Sequence, residues 1–203
     1  MAQQLAPTKG NLIAAKRSRE LAETGFELMD RKRNILVREL MALLDQAEDL
    51  QGRIDEAFAE AYDSLRLANI SIGGSEQIAE AVPVDESITA VFRSVMGVEL
   101  PILHADPVGD ELPYGFTGTT SALDNAYVNF NRVKQLSLEL AETENSIYRL
   151  AYFIKKTRKR ANALQNIVIP GLDEDIRRIT DALAEKEREE FVRQKVIKAR
   201  KNR

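Results

Sequence analysis

The chain has 203 residues, of which 30% are charged and only 6% aromatic, with no Cys, no Trp and one His. This composition excludes disulfides, thiolate metal sites and a His-rich metal cluster, and it is typical of helical rods rather than a compact globular core. No apolar run approaches the roughly 18 residues of a membrane-spanning helix, and the N-terminus lacks the apolar segment of a signal peptide. We therefore expect a soluble intracellular protein.

The N-terminal segment carries a seam of residues at alternating spacings of three and four, from Leu12 to Ala68. Of its seventeen positions, fourteen are apolar, the exceptions being Arg19, Arg33 and Ser64. A run of about eight heptads is well beyond what a coiled-coil prediction requires. Thr8, after Pro7, is a suitable N-cap. The pattern predicts one long helix over residues 9–69.

Residues 71–118 differ in composition from the helical segments on either side, since they hold six of the ten Gly and four of the six Pro. Within them the stretch VFRSVMGVELPILH is β-branched and apolar, with Gly97 at a turn position. We predict a two-stranded hairpin there. Because an isolated hairpin is marginal in water, it is expected to pack on the helices or on a partner.

The C-terminal segment repeats the helical seam every seven residues from Ala126 to Val168. After Val168 the frame slips, and it continues through Leu172, Ile176, Ile179 and Leu183. Such a slip resembles a stutter, which locally unwinds a coiled coil. It coincides with the helix breakers Pro170 and Gly171, so a helix break is predicted near this pair.

Together these segments predict a mainly α fold, a long antiparallel two-helix coiled coil with a small inserted β-hairpin and loop subdomain. The predicted divisions are residues 1–70, 71–118 and 119–203. Pairing residue 70 with residue 122 gives a register in which paired numbers sum to roughly 192. Gly25 would then lie beside Ile167, and residues 181–203 would form an overhang.

Charge is distributed unevenly. Residues 71–118 contain eight acids and one base, Arg93, whereas the last thirteen residues contain six bases and no acid. Apolar side chains at helical spacing accompany these bases, namely Phe191, Val192, Val196 and Ile197. On an unpaired overhang they need another surface to cover them, which favours a partner. Arg19 and Arg33 on the seam either extend outward to water or meet acids of another chain.

No catalytic constellation is found. The stretch GFTGTT lacks the Lys of a phosphate-binding loop, and His104 near Asp106 has no nucleophile partner. We therefore predict no catalytic residues, no metal ligands, no cofactor and no enzymatic activity of its own.

Three separated motifs resemble the D subunit of the V-type and A-type rotary ATPases, the central rotor axle. They are PTKGNLIAAKRSRELAETGFELMDRKRNILVREL at the N-terminus, VMGVELP in the middle and RANALQNIVIPGLDEDIRRITDALAEKEREEFVRQKVIK near the C-terminus. The resemblance covers essentially the whole chain.

The resemblance implies a non-catalytic, cytoplasmic protein peripheral to the membrane, without membrane insertion. Its implied partners are the catalytic and regulatory subunits (A and B) of the ATPase hexamer, the small companion F subunit of the central stalk, and the funnel-shaped subunit that links to the membrane rotor ring. The implied hexamer contacts are Lys16, Arg19, Gly25, Arg33, Asn162, Leu164, Pro170, Arg188, Phe191, Lys195 and Lys198. The implied companion contacts on the hairpin are Met96, Gly97, Val98 and Pro101.

Two other classes of function stay open at this point. A basic-tipped antiparallel coiled coil can act as a nucleic-acid-binding arm steered by phosphate charge, although the acidic insert and the lack of an aromatic stacking platform disfavour it. The second alternative is a passive scaffold or tether.

Overall fold

The computed structural model describes residues 6–80, 82–106, 113–115 and 117–201, apart from the side chain of Gln77. Part of the predicted acidic insert, residues 107–112, and the terminal base Arg203 lie outside the described residues. The elements are α1 (Lys9–Ile72), α2 (Glu76–Ala79), β1 (Thr89–Val95), β2 (Val98–His104), α3 (Ser121–Ala163), a π-helical segment (Leu164–Val168) and α4 (Ile169–Lys201). The predicted mainly α fold with paired long helices and an inserted hairpin is confirmed.

Helix α1 begins and packs as its sequence pattern predicts. The backbone N–H of Asn11 donates to Oγ1 of Thr8 at 3.2 Å, so Thr8 is the N-cap. Each of the seventeen predicted seam positions is buried or half-buried. Residues at this spacing share one helix face, and that face is the one covered by the second long helix.

The chain divides into two compact units, one containing the described residues of Met1–Asn34 and Lys155–Arg203, the other Ile35–Ile154. In the second unit α1 and α3 run antiparallel. Asn129 Nδ2 donates to Ser64 Oγ at 2.8 Å, and Arg132 pairs with Glu60 at 3.2 Å. These pairs match the predicted register. Leu50, Ile54, Ala57, Ala61, Val133 and Leu136 form the core between the two helices.

The hairpin of the second unit packs on the long helices, as expected. Strands β1 and β2 are antiparallel and pair from Thr89 with His104 to Val95 with Val98. Val98 and Leu100 are fully buried. They share a core with Leu36, Leu43 and Leu150 of the helices. Because one face of β2 is closed by this core, the register of the hairpin is fixed.

Near the end of α1 a third cluster forms around the one-turn helix α2, which the sequence pattern did not predict. Ala68, Tyr114 and Leu123 are buried there, and Ile78 of α2 packs against them. Tyr114 Oη donates to Asp124 Oδ1 at 2.9 Å. Burial, together with this hydrogen bond, raises the pKa of Tyr114 to about 12.

In the first unit the interruption of the helical frame is a π-helical segment, Leu164–Val168, which ends two residues before Pro170. Helix α4 then runs from Ile169 through Pro170 and Gly171. From Leu164 to Leu172 the chain uses one residue more than a heptad, and a wide π turn accommodates one extra residue. Pro170 has no N–H to donate, so a regular α-helical hydrogen bond cannot form at that position.

Two predicted positions near this segment are corrected. Val168 is 40% exposed instead of lying on the seam, and Ile167 is 71% exposed. Gly25 faces Leu164, whose Cδ1 lies 3.8 Å from the position of a Cβ on Gly25. The π turn rotates residues 167 and 168 outward and returns Leu172, Ile176, Ile179 and Leu183 to the covered side.

The predicted overhang begins later than residue 181. Lys9 Nζ lies 3.1 Å from Glu187 Oε1, and Leu12 and Ile13 line a groove with Thr180, Leu183 and Ala184. Helix α1 thus contacts α4 as far as Glu187, through Lys9 at the very start of α1. Every residue from Arg188 to Lys201 is exposed.

Candidate interaction surfaces

Arg19 and Arg33, the two arginines of the α1 seam, form ion pairs with acids of the same chain. Arg19 Nε lies 2.5 Å from Asp173 Oδ1, and another guanidinium nitrogen lies 3.0 Å from Glu23. The hydrogen bond to Asp173 raises the pKa of Arg19, with the charges of Asp173 and Glu23 adding to it. Arg33 pairs with Asp30 at 2.7 Å. The guanidinium groups of both residues are thus paired with acids of this chain and stay partly exposed.

The end of α4 is an uncovered feature of the first unit. Phe191 is 66% exposed, and Val192, Val196 and Ile197 are exposed with it. Arg188 and Arg193 pair with Glu185 and Glu189 on the same helix. No acid follows Glu190, so Lys195 and Lys198 stand in a purely basic stretch. The surface is therefore apolar and cationic together.

A second exposed apolar stripe lies on α1 of the first unit. Leu21 and Leu28 are both largely exposed, and Ile13 near the start of the helix is exposed as well. Each of Leu21 and Leu28 directly precedes a seam residue, so they form a line beside the seam. This stripe was not predicted, although the seven-residue spacing of the two leucines is a signal that the sequence contains.

The predicted hexamer contacts fall into exposed and covered groups. Lys16, Asn162 and Pro170 are exposed on the first unit, as are Arg188, Phe191, Lys195 and Lys198 on α4. Gly25 and Leu164 contact each other between the helices and are only half-exposed. Thus the exposed members are available to a partner, whereas Gly25 and Leu164 serve the contact of α1 with the π-helical segment.

The hairpin residues also separate into two groups. Met96 and Gly97 form the turn with φ values of 51° and 74°, which suits a tight two-residue connection. Met96 is 45% exposed. Val98 and Pro101, in contrast, are buried in the chain. The side chains of these two residues are therefore covered by the chain itself, and Val98 helps to pack β2 on the helices.

A polar cleft of about 560 Å³ lies in the second unit. Asp85 forms an ion pair with Lys134 there. The backbone N–H of Ser87 also donates to Asp85 Oδ1 at 2.8 Å. The hydrogen bond from Lys134, followed by those from Ser87, holds the pKa of Asp85 well below its usual range. The pair anchors the segment before β1 to α3.

Among the described residues, no group of three or more His, Asp or Glu side chains is arranged to hold a metal ion. His104 is exposed at the end of β2. Within the same residues, no helix is both long and apolar enough to cross a membrane.

Comparison with known proteins shows which family the chain belongs to. The family model that describes the D subunit of ATP synthase matches residues 11–199. The chain belongs to the ATP synthase D-subunit family. The match takes in nearly all of the three motifs that carried the resemblance, so the predicted family is confirmed.

Curated relatives align over most of their length. The chain is 44% identical to the D subunit of the V-type ATP synthase of Thermotoga neapolitana, over 96% of this chain and 97% of the relative. It is 36% identical to the D subunit of the A-type ATP synthase of Pyrococcus horikoshii, over 97% and 94%. It is 35% identical to that of Methanopyrus kandleri, over 95% and 84%. The similarity to these relatives thus covers at least 95% of the chain.

Proposed function

We propose that this member of the D-subunit family is the central-stalk rotor shaft of a V/A-type ATPase. It transmits torque between ATP hydrolysis or synthesis in the catalytic hexamer and ion translocation in the membrane ring. It is a non-catalytic component that works in the cytoplasm at the periphery of the membrane. Membership of the family supports this proposal, as do the long helices that continue for 64 residues in α1 and 43 in α3.

The observation that carries the proposal is the uncovered end of α4. An exposed helix with Phe191, Val192, Val196 and Ile197 buries apolar area only when another surface encloses it. We propose that the catalytic and regulatory subunits of the hexamer, A and B, supply that surface. The basic residues, including Lys195 and Lys198, would then meet acidic or carbonyl groups at the rim.

The rest of the first unit contributes to the same contact. Lys16, Asn162 and Pro170 are exposed there, and Leu21 and Leu28 add apolar area. Arg19 and Gly25 support this surface through the contacts of α1 with Asp173 and with Leu164 of the π-helical segment. Arg33 supports it through its ion pair with Asp30 on α1 itself. Because these side chains differ around the helix pair, each of the surrounding catalytic sites would face a different surface as the shaft turns.

Torque transmission depends on continuous helices. A helix resists bending and twisting because every turn is tied to the next by backbone hydrogen bonds. A π-helical segment and a proline are both features that bend a helix, and this chain has both, at Leu164–Val168 and at Pro170. We propose that they set the direction of the α4 end. Changing Pro170 and Gly171 together to Ala should lower torque-coupled ATPase activity, and unchanged coupling would count against this role.

The second unit would face the membrane side. Residues 71–118 carry eight acids and one base, and the exposed hairpin turn lies among them. We propose that Met96 and Gly97 contact the small companion F subunit, with the funnel-shaped subunit nearby. In this proposal residues 1–70 and 119–203 supply the shaft and residues 71–118 supply the coupling end.

Reconstitution tests the proposal. A catalytic hexamer lacking its own shaft should bind the full chain and gain rotation-coupled ATPase activity. Phe191→Ser should weaken binding by roughly tenfold or more, since truncated aromatic anchors dominate interfaces. Gln194→Ser on the same exposed helix is the matched control and should bind normally. Equal binding of both variants would refute the proposed role of the α4 end, and binding without any effect on ATPase activity would indicate a passive tether.

A further inference from the structure

The two edges of the hairpin are not alike. With Met96 and Gly97 as a two-residue turn, Val95 and Val98 exchange backbone hydrogen bonds. In an antiparallel pair such residues alternate with residues whose N–H and C=O point away from the partner strand. On β2 the outward-pointing residues are Glu99, Pro101 and Leu103. On β1 they are Ala90, Phe92 and Ser94.

The outer edge of β2 is closed by the chain itself. Leu103 N–H donates to Glu142 Oε2 at 2.9 Å, and Arg149 donates to the carbonyl oxygen of Glu99 at 3.1 Å. Pro101, between them, has no N–H to offer. Glu142 and Arg149 belong to α3, so this edge faces the helix and no further strand can pair with it.

The outer edge of β1 is open. Within the part of the chain that the structure describes, the outward N–H and C=O groups of Ala90, Phe92 and Ser94 have no hydrogen-bond partner. Every residue from Thr89 to Ser94 is exposed. Proteins usually protect such an edge with Pro, Lys, a bulge or a covering element. This strand has no Pro or Lys, and its pairing runs without a bulge.

The side chains beside this edge favour pairing with another chain. Val91 and Phe92 are each 52% exposed. Phe92 is held in place by Arg149, whose guanidinium carbon lies 5.1 Å from the ring centre. Arg93, the single base of residues 71–118, forms an ion pair with Glu39, with 3.4 Å between the guanidinium nitrogen and the carboxylate oxygen. The edge thus presents free backbone groups next to two exposed apolar side chains.

We propose that β1 is the docking edge for an extended segment of another component of the ATPase, which adds to the hairpin as a third strand. The segment is apolar where it meets Phe92 and basic at its flanks, because the stretch of sequence that contains β1, residues 71–118, has eight acids against one base. The same charge excess disfavours a second copy of this chain as the occupant. The inference rests on the proposed function, since it takes the partner from the same complex.

Amide hydrogen exchange tests this pairing residue by residue. In the isolated full chain, the amides of Ala90, Phe92 and Ser94 should exchange fast, while those of Val91 and Arg93 are protected within the hairpin. In the assembled ATPase the first three should slow by about tenfold or more. If the chain assembles but these amides stay fast, the strand-addition inference is wrong while the proposed function stands. If the chain does not assemble with the other ATPase subunits, the proposed function itself is wrong.

A pair of variants at one position separates strand addition from ordinary surface contact. Ala90→Pro removes one outward N–H and is tolerated at a strand edge. Ala90→Val keeps that N–H and favours a strand. We expect Ala90→Pro to weaken assembly by roughly tenfold and Ala90→Val to leave it unchanged. Equal assembly of both, or a dimer of the isolated chain with the three amides protected, would overturn the inference.

Discussion

Leu164, the first residue of the π-helical segment, lies against Gly25 of α1, with its Cδ1 3.8 Å from the position that a Cβ on Gly25 would occupy. That distance is an ordinary van der Waals contact. The glycine therefore leaves room that an alanine can fill without displacing its neighbour. The pair joins α1 to the interruption of the opposing helix.

Gly25→Ala should stabilise the protein. Glycine in a helix interior costs about 1 kcal/mol relative to alanine, and the added methyl group would contact Leu164. Gly52→Ala is the matched control, since a Cβ there meets nothing within 4 Å. Urea denaturation should show a gain in unfolding free energy for both variants, larger for Gly25→Ala. A loss of stability in Gly25→Ala alone would show that the two helices approach more closely than described.

Deleting Ile167 should be tolerated. The residue is exposed, and its removal makes the interval from Leu164 to Leu172 a regular heptad. The π segment should become α-helical while Ile179 stays buried. We expect the unfolding free energy to change by no more than about 1 kcal/mol.

Deletion of Glu139 is the control for that experiment. This residue is also exposed, but its loss would rotate Leu140, Ile147 and Leu150 by roughly 100° relative to α1. Thermal melting followed by circular dichroism should show strong destabilisation. Equal destabilisation by both deletions would contradict the assignment of the extra residue to the π turn.

Leu100→Ala should detach the hairpin from the helices. Leu100 is fully buried among Leu36, Leu43 and Leu150. Truncating a buried leucine costs about 3 kcal/mol through lost transfer free energy and the cavity left behind. Val91→Ala on the exposed strand is the control and should change stability by less than about 0.5 kcal/mol. Similar losses in chemical denaturation for both variants would refute the packing of β2.

The ion pair of Asp85 and Lys134 should make stability depend on pH in the acid range. The pKa of Asp85 is depressed in the folded chain, so its contribution is present above the unfolded value of about 3.9 and is lost as the pH falls toward the folded pKa. The difference in unfolding free energy between the wild type and Asp85→Asn should be constant above about pH 5 and shrink below about pH 4.

Lys134→Met provides the control for the pH experiment. Without the ammonium group, the pKa of Asp85 loses the largest cause of its depression. Asp85→Asn introduced into this variant should then have a smaller effect, measured by urea denaturation across the same pH range. A pH-independent difference in both backgrounds would contradict the ion pair.

Much of the fold could be predicted because the seam repeats over many heptads. Thr8, Leu36 and Leu150 occupy the places that capping and spacing assign to them. The one-turn helix α2 could not be predicted, because its four residues are too few to show the repeat of apolar residues by which a helix is recognised in a sequence. The frame slip was visible in the sequence, but a break and a π turn produce the same slip, and only the hydrogen bonding around Pro170 distinguishes them.

The interaction surfaces were less predictable than the fold. Val98 and Pro101 share a motif with Met96, yet the packing of β2 on the helices buries the first two. Arg19 and Arg33 are polar residues on an apolar seam, and their partners were within reach of the sequence, since Asp30 precedes Arg33 by three residues on one helix and the predicted register places residue 173 beside residue 19. The open edge of β1 could not be predicted, because the side chains of α3 that close the edge of β2 are distant in sequence.

Rotation tests the central claim most directly. A hexamer lacking its own shaft is immobilised, the full chain is added, and a probe is attached to the hairpin end of the chain. The account predicts continuous rotation of the probe in one direction that requires ATP and stops when residues 188–203 are removed. A chain that binds the hexamer but stays still while ATP is hydrolysed would contradict it.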